Sequence, residues 1–428
     1  MVAPAKPKHR SMWSSLAFRE FRLLWLSNLT SNFAMQMQSV ARGWLIYDMT
    51  GSAMALTWVM LSFLLPSVLF SVAGGVLADR VGKRSVIIVS QVLNTAATAL
   101  MAGMVYADNI EFRDFIYFGL FNGTTLALSM PARSAMGPEL VDRAHMVNAM
   151  ALQSTTFNLS RILGPALAGA LVAILVHGDT TSTRGVGIVF FVIAALYAAS
   201  IVCTMAMRHR GKSPSRGTTA LSDVAEGFRY MRRERLVRGL IAMSFVPMTF
   251  GFAVTFLMPA FNADVIRGGP DDLGLLMTSA GIGALAGSLV LARAGDIGGK
   301  GRVLFVTGYL WAVFVIAFAL SESMPTALLF GALSGFFGAL MGSLNMSVVQ
   351  LALPDAIRGR VMSIMMMTHG FMPIGIMPIS AIAEVVGIHS ALVAAGVLLA
   401  ASMGVIRRWI PELARIDTGH RIEPRHPA

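Results

Sequence analysis

Twelve runs of about 20 predominantly apolar residues follow one another along this chain, each the length a helix needs to cross the hydrocarbon core of a bilayer. They cover residues 22–47, 53–77, 84–107, 114–137, 147–176, 186–207, 238–263, 272–294, 302–321, 325–350, 359–386 and 388–408. A soluble alternative would need polar side chains to wet its surface. Only 13% of the residues are charged and 55% are hydrophobic, against about 25% charged in ordinary soluble domains. The expected fold is therefore an all-α integral membrane protein of about twelve transmembrane helices.

The lysines and arginines orient it. With the N-terminus inside, all but five of the 34 fall in the tails and inner loops. The outer loops hold Arg113, Arg184 and Arg267, and Arg42 and Arg161 lie within helices. This bias predicts both termini in the cytoplasm. It also accounts for the net charge of +12 without nucleic acid. The central arginines, Arg229 to Arg238, read as a topology signal in contact with anionic lipids. No small-residue cleavage site follows the first apolar run, so the basic start reads as a tail rather than a signal peptide. Cys203 is the single cysteine, which rules out an intrachain disulfide and a cysteine-based metal site.

The chain divides into a cytoplasmic N-tail (1–20), a six-helix bundle (21–207), a linker (208–237), a second six-helix bundle (238–408) and a cytoplasmic C-tail (409–428). The linker carries Gly-Lys-Ser-Pro-Ser-Arg-Gly and a basic segment, Leu221 to Arg235, expected to form an interfacial amphipathic helix. The bundles repeat each other. Asp79-Arg-Val-Gly82-Lys83 follows the second helix and Asp296-Ile-Gly-Gly299-Lys300 the eighth, 217 residues on; Pro138-Glu139 and Pro354-Asp355 are 216 apart. Two landmarks agreeing to one residue indicate a duplicated unit, with a site expected near the midplane between pseudo-symmetric halves.

The segment Gly75-Val-Leu-Ala-Asp79-Arg80-Val-Gly82-Lys83-Arg84 resembles the loop signature of the major facilitator superfamily at every defined position. Gly75 permits close helix approach, Gly82 a tight turn. Asp79 is an anion among cations, suited to hold and release a neighbouring helix end. Arg133-Ser-Ala-Met-Gly137 resembles the superfamily's Arg-x-x-x-Gly motif, which implies that Arg133 lies near Asp79. Together with Pro131 to Val141, Gly43 to Ser52 and Arg358-Gly-Arg360, these features resemble the transmembrane secretion effector branch, which includes the enterobactin exporter and macrolide efflux proteins. The resemblance runs from about Phe18 to Pro411. It implies the major facilitator fold, a functional monomer, a small-molecule substrate and coupling to protons or another ion. Residues Gly75, Asp79, Arg80, Gly82, Lys83, Arg84, Arg133, Gly137 and Asp296 are the expected gating set.

Gly164-Pro165 with Gly169 in the fifth helix resembles the Gly-Pro motif associated with antiporters. Pro165 removes one backbone hydrogen bond and allows a bend; ordinary Gly/Pro helix packing is the alternative. Arg161 is the deepest charge in the chain and must face a cavity or a partner. An anion contact and a structural bond to backbone carbonyls are equally open to it. Asn28, Asn32 and Gln36 recur every four residues in the first helix, one helical face with Ser39 nearby. The expected substrate site is Asn32, Gln36 and Arg161, with His369 from the other half; His369 also reads as a buried neutral histidine.

No Asp or Glu lies mid-helix, so no residue offers itself as proton carrier. Asp48, Asp264 and Glu384 sit at the outer edge. There is no phosphate-binding Gly-x-x-x-x-Gly-Lys-Ser/Thr loop and no His-Glu-x-x-His, and no cofactor is expected. The sequence points to a non-enzymatic secondary transporter of the inner membrane. The expected direction is export of a siderophore-like, drug-like or other amphipathic metabolite. An importer or uniporter, and a non-transporting receptor or scaffold, are the alternatives.

Overall fold

The computed structural model describes residues 14–142, 145–176, 183–209, 211, 229, 234–294, 298–353, 361, 365 and 372–416. Within them lie twelve α-helices. Those of the first half are α1 (Arg19–Thr50), α2 (Ala53–Val81), α3 (Lys83–Tyr106), α4 (Phe112–Glu139), α5 (Met146–Val176) and α6 (Thr183–Met205). Those of the second are α7 (Arg235–Phe261), α8 (Pro270–Ala294), α9 (Lys300–Ala319), α10 (Met324–Ala352), α11 (Met372–Val386) and α12 (Ile388–Trp409). The described residues include no β-strand. The apolar runs locate eleven of these helices to within three or four residues. The predicted start of the remaining one, before Met372, lies outside the described residues, as does the amphipathic linker helix apart from Arg229, Glu234 and Arg235.

Among the described residues, seven helices are long and apolar enough to cross a bilayer on that basis alone: α3, α6, α7, α8, α9, α10 and α12. Three of the other helices are interrupted by polar residues. Helices α1, α4 and α5 carry Asn28, Asn32, Gln36 and Arg42, then Asn122 and Arg133, then Gln153, Asn158 and Arg161. A helix whose inner face meets other helices or water tolerates such residues, whereas a lipid-facing stripe does not.

Packing repeats with the sequence. Helix α1 lies against α5 and α6, α2 against α4, and α3 against α4 and α6; six helices later, α7 lies against α11 and α12, α8 against α10, and α9 against α10 and α12. The halves meet along two further pairs, α5 with α8 and α2 with α11, which exchange under the same shift. The repeat reaches single residues. Gly82 and Gly299 both have positive φ, 97° and 67°, which a side chain would strain. Each turns the chain so that the following lysine, Lys83 or Lys300, is buried, 3% and 5% exposed. The segment after α6 folds back so that the Gly211 carbonyl accepts the Lys83 N–H at 3.3 Å; after α12 the Ile416 carbonyl accepts the Gly301 N–H at 3.0 Å.

Polar groups tie the first half internally. The Ser27 hydroxyl on α1 lies 2.9 Å from that of Ser200 and 2.8 Å from that of Thr204 on α6, and accepts from the Gln91 amide of α3 at 2.9 Å. Such bonds between membrane helices contribute about 0.6 kcal/mol each on average.

Candidate functional site

At 3.6 residues per turn, α5 sorts its side chains by angle. Leu159, Leu163, Leu167 and Ile174 share one exposed apolar stripe, 41–65% accessible, the face expected to meet lipid. Arg161 projects from the opposite side. On that inner side Ala151, Ser154 and Phe157 are exposed, whereas one to three turns further on Pro165, Ala168, Gly169 and Val172 are buried. The interior is therefore entered from the end where α5 begins and shut at the end where it finishes. The open end also carries the α2–α3 turn and the ends of α4, α6 and α12, and with them most of the basic residues; it is called the basic face below, and the other the far face.

Arg161 stands where these regions meet. It is half-buried, and its Nε is buried with no hydrogen-bond partner. One turn on, Gly164 lets α1 approach so closely that a Cβ there would lie 2.6 Å from the Gln36 Cβ. Because α1 and α5 run parallel, Asn32, one turn before Gln36, stands near the level of Arg161. Pro165 has no N–H to donate to the Arg161 carbonyl four residues earlier. That carbonyl lies toward Gly281 of α8, and the next one, of Ile162, accepts the Thr278 hydroxyl at 3.2 Å. Position 161 thus joins a half-buried guanidinium, its Nε buried, to a carbonyl released from the helical ladder. His369, the member expected from the other half, lies outside the described residues.

Two further helix arginines, Arg133 near the end of α4 and Arg42 on α1, have protein partners. Arg133 on α4 donates to the Asn28 side-chain oxygen at 3.0 Å and to the Ser31 hydroxyl at 3.3 Å. Asn28, first of the polar stripe on α1, therefore serves the joint between α1 and α4. The guanidinium of Arg42 lies 5.6 Å from the Phe63 ring centre, a cation–π contact.

Of the expected gating residues, Lys83 is paired with Glu139 at the end of α4, and Glu139 also meets His209 at 3.4 Å. Arg84 donates to the carbonyls of Thr204 and Met205 at 3.2 and 2.6 Å, capping the negative end of α6. Gly137 abuts the Gln153 side chain of α5. These contacts hold the first half together at the basic face. Arg80, in the last turn of α2, is exposed. The backbones of Gly75 and Asp79 belong to α2, but their side-chain surroundings, and all of Asp296, lie outside the described residues.

The far face is closed by contacts that the expected site does not include. The Tyr47 hydroxyl donates to Asp264 at 2.6 Å. Glu384 of α11 accepts from the Ser52 hydroxyl and from the Met54 N–H, at 2.9 Å, where α2 begins. One turn deeper, the Thr57 and Ser380 hydroxyls are 2.6 Å apart. On the other side Gly169 of α5 meets Gly274 of α8 almost backbone to backbone: a Cβ on Gly169 would lie 2.7 Å from the Pro270 carbonyl oxygen and 3.1 Å from the Gly274 Cα. One signal for this cluster was available in the sequence. Tyr47 and Asp264 are 217 residues apart, the repeat offset, so they face each other across the pseudo-twofold axis. A π-helical turn, Asn262–Ile266, carries Asp264 into place.

Two six-helix halves, an interior reached from one face and a closed far face are the architecture of a membrane transporter. The model of the transmembrane secretion effector family matches residues 10–425, and the chain belongs to that family, a branch of the major facilitator superfamily. Among its relatives is the staphyloferrin A transporter of Staphylococcus aureus, 24% identical over 82% of this chain and 86% of the relative. The multidrug efflux pump Tap of Mycolicibacterium fortuitum is 23% identical over 92% and 96%, and macrolide efflux protein A of Streptococcus pyogenes 21% over 93% and 97%. Among solved structures, a bacterial homologue of the human lysosomal transporter Spinster, inward-facing and occupied, superposes with TM-score 0.74 at 14% identity, covering 95% of this chain and 99% of that one. A D-xylose–proton symporter gives 0.71 at 13% identity, over 94% and 99%.

Proposed function

We propose that this transporter is an exporter of small amphipathic molecules, located in the inner membrane with both termini and the linker in the cytoplasm. The observation that carries this reading is the interior face of α5, exposed toward the basic face and buried toward the far face. With the basic face inward by the charge bias, the structure represents the inward-facing state, in which an exporter loads. Arg161, Asn32 and Gln36 form the polar part of the binding site, with His369 as the contribution of the second half. Arg161 favours ligands bearing negative charge or several acceptors. Family relatives named for efflux and for a siderophore support this direction. Ion coupling, action as a monomer, contact of the central basic segment with anionic lipids, and a gating role for Asp79 and Arg133 belong to the same proposal.

Deleting the gene should raise the cytosolic level of at least one small metabolite and lower it in the medium, with the wild-type copy reversing both. Depletion inside the deletion strain would make the protein an importer. The orientation has its own test. A cysteine at Ser215, with Cys203 replaced by serine, should resist a membrane-impermeant thiol reagent in intact cells and react in everted vesicles. Labelling in intact cells would invert the topology and with it the loading state.

A further inference from the structure

Besides the Tyr47–Asp264 bond near the axis, two contacts close the far face; they are equivalent under the repeat and chemically unlike. At the far face, where α5 meets α8, the contact is backbone packing of Gly169 on Gly274 and Pro270, and the Thr278–Ile162 hydrogen bond lies deeper. Where α2 meets α11, the contact is made of hydrogen bonds, and its outermost member is the carboxylate of Glu384. Thr57 and Gly274 are 217 residues apart and their partners Ser380 and Gly169 are 211 apart, so the position equivalent to Glu384 is Ala173, and the carboxylate has no counterpart in the first half.

We infer that Glu384 is a positioning residue for transport: it caps the first turn of α2 across the boundary between the halves and sets the balance between the closed and open far face. The first N–H groups of a helix have no intrahelical partners, and the N-terminus carries partial positive charge. Here one of those groups, Met54 N–H, and the adjacent Ser52 hydroxyl are satisfied by a residue of the other half. Charge-assisted bonds of this kind are about twice as strong as neutral ones. The cap exists only while α11 lies over the start of α2, so it stabilises the closed form and contributes nothing once the halves part. Water replaces it easily on opening, because the carboxylate and the helix end both lie at the membrane surface. The glycine contact on the other side has no polar groups to exchange. The α2–α11 boundary is thus the side at which the far face opens first. Glu384 lies outside the binding patch and acts through the first turn of α2, without touching substrate.

This inference rests on the inward-facing state proposed above but not on which molecule is carried, so the test uses the protein without substrate. In full-length protein with Cys203 replaced by serine, spin labels at Met49, at the end of α1 beside the start of α2, and at Val385 of α11, both exposed at the far face, report the gap between the α1–α2 corner and α11. Labels at Met150 and Arg293, both exposed, report the basic ends of α5 and α8. Glu384→Gln removes the charge and leaves one acceptor. It should shift the far-face pair to longer and the basic-face pair to shorter distances, with the open-to-closed ratio rising about tenfold. Glu384→Asp keeps the charge but cannot reach both donors, and should move the same way by less; it carries the test should the glutamine variant not fold. Unchanged distances at both pairs would overturn the latch. A longer far-face distance with the basic pair unmoved would show local fraying of α2 and overturn it equally. Absence of export by the wild-type protein, with these distance shifts present, would count against the export proposal alone.

Discussion

Valine at Gly169 is expected to hold the far face open and to reduce turnover about 100-fold or more, a shift of roughly 2.7 kcal/mol between the two states. The added Cβ would meet the Pro270 carbonyl oxygen at 2.7 Å, the Gly274 Cα at 3.1 Å and the Asp271 Cα at 3.2 Å. All three are backbone atoms, so no side chain can rotate away, and the helices must separate instead. Small residues allow membrane helices to approach to backbone contact, and this approach is the far-face closure on the α5–α8 side. The substitution leaves every polar contact within the halves intact, so the variant should insert and purify like the wild type. Spin labels at Ile174 and Leu275 should show a longer distance with a narrowed range. Gly103→Ala is the control, because a Cβ there meets nothing within 4 Å. Wild-type transport by Gly169→Val would mean that this contact is incidental to the cycle.

The same comparison explains what could be read from the amino-acid sequence. The helices were legible because lipid imposes one requirement, a run of apolar side chains, and the chain meets it with few interruptions. The repeat was legible because Gly82-Lys83 and Gly299-Lys300 carry backbone conformations that few other residues supply. The polar stripe on α1 was legible as a face but not as a set of partners. Asn28 and Gln36 lie two turns apart on it, yet one is bound by Arg133 and the other packs against Gly164. Spacing shows that residues share a side and is silent on which neighbour that side meets. The far-face closure was least legible. Asp264 and Glu384 read as ordinary carboxylates at a membrane edge until the fold brings Tyr47 and the start of α2 beside them. The glycines of α5 resemble an antiporter motif. What the structure adds is their target: Gly164 admits α1 and Gly169 admits α8, so one helix carries both the interior wall and the closure.

That double duty bears on Arg161, which lies between the two contacts. Arg161→Lys keeps the positive charge and loses the planar fork of donors. If the guanidinium is a ligand contact, export of an anionic probe such as carboxyfluorescein should fall about tenfold, the loss of one good charge-assisted interaction, 1.4 kcal/mol. A neutral macrolide should be exported at close to the wild-type rate. The structural setting favours this selectivity. The Nε is buried without a partner, and a buried donor left unpaired costs about 1–3 kcal/mol, a penalty that a bound carboxylate or phosphate removes. The carbonyl of the same residue, denied its helical donor by Pro165, lies toward α8. A ligand engaging the side chain therefore pulls on the turn of α5 that meets the second half, which gives occupancy a direct route to the closure at Gly169. The lysine variant should accordingly keep the distances of the unloaded protein and lose the change that the anionic probe induces between Ile174 and Leu275. Equal loss for both probes, with poor membrane insertion, would assign Arg161 to the structure of the helix bundle and remove the basis for a preference for acidic substrates.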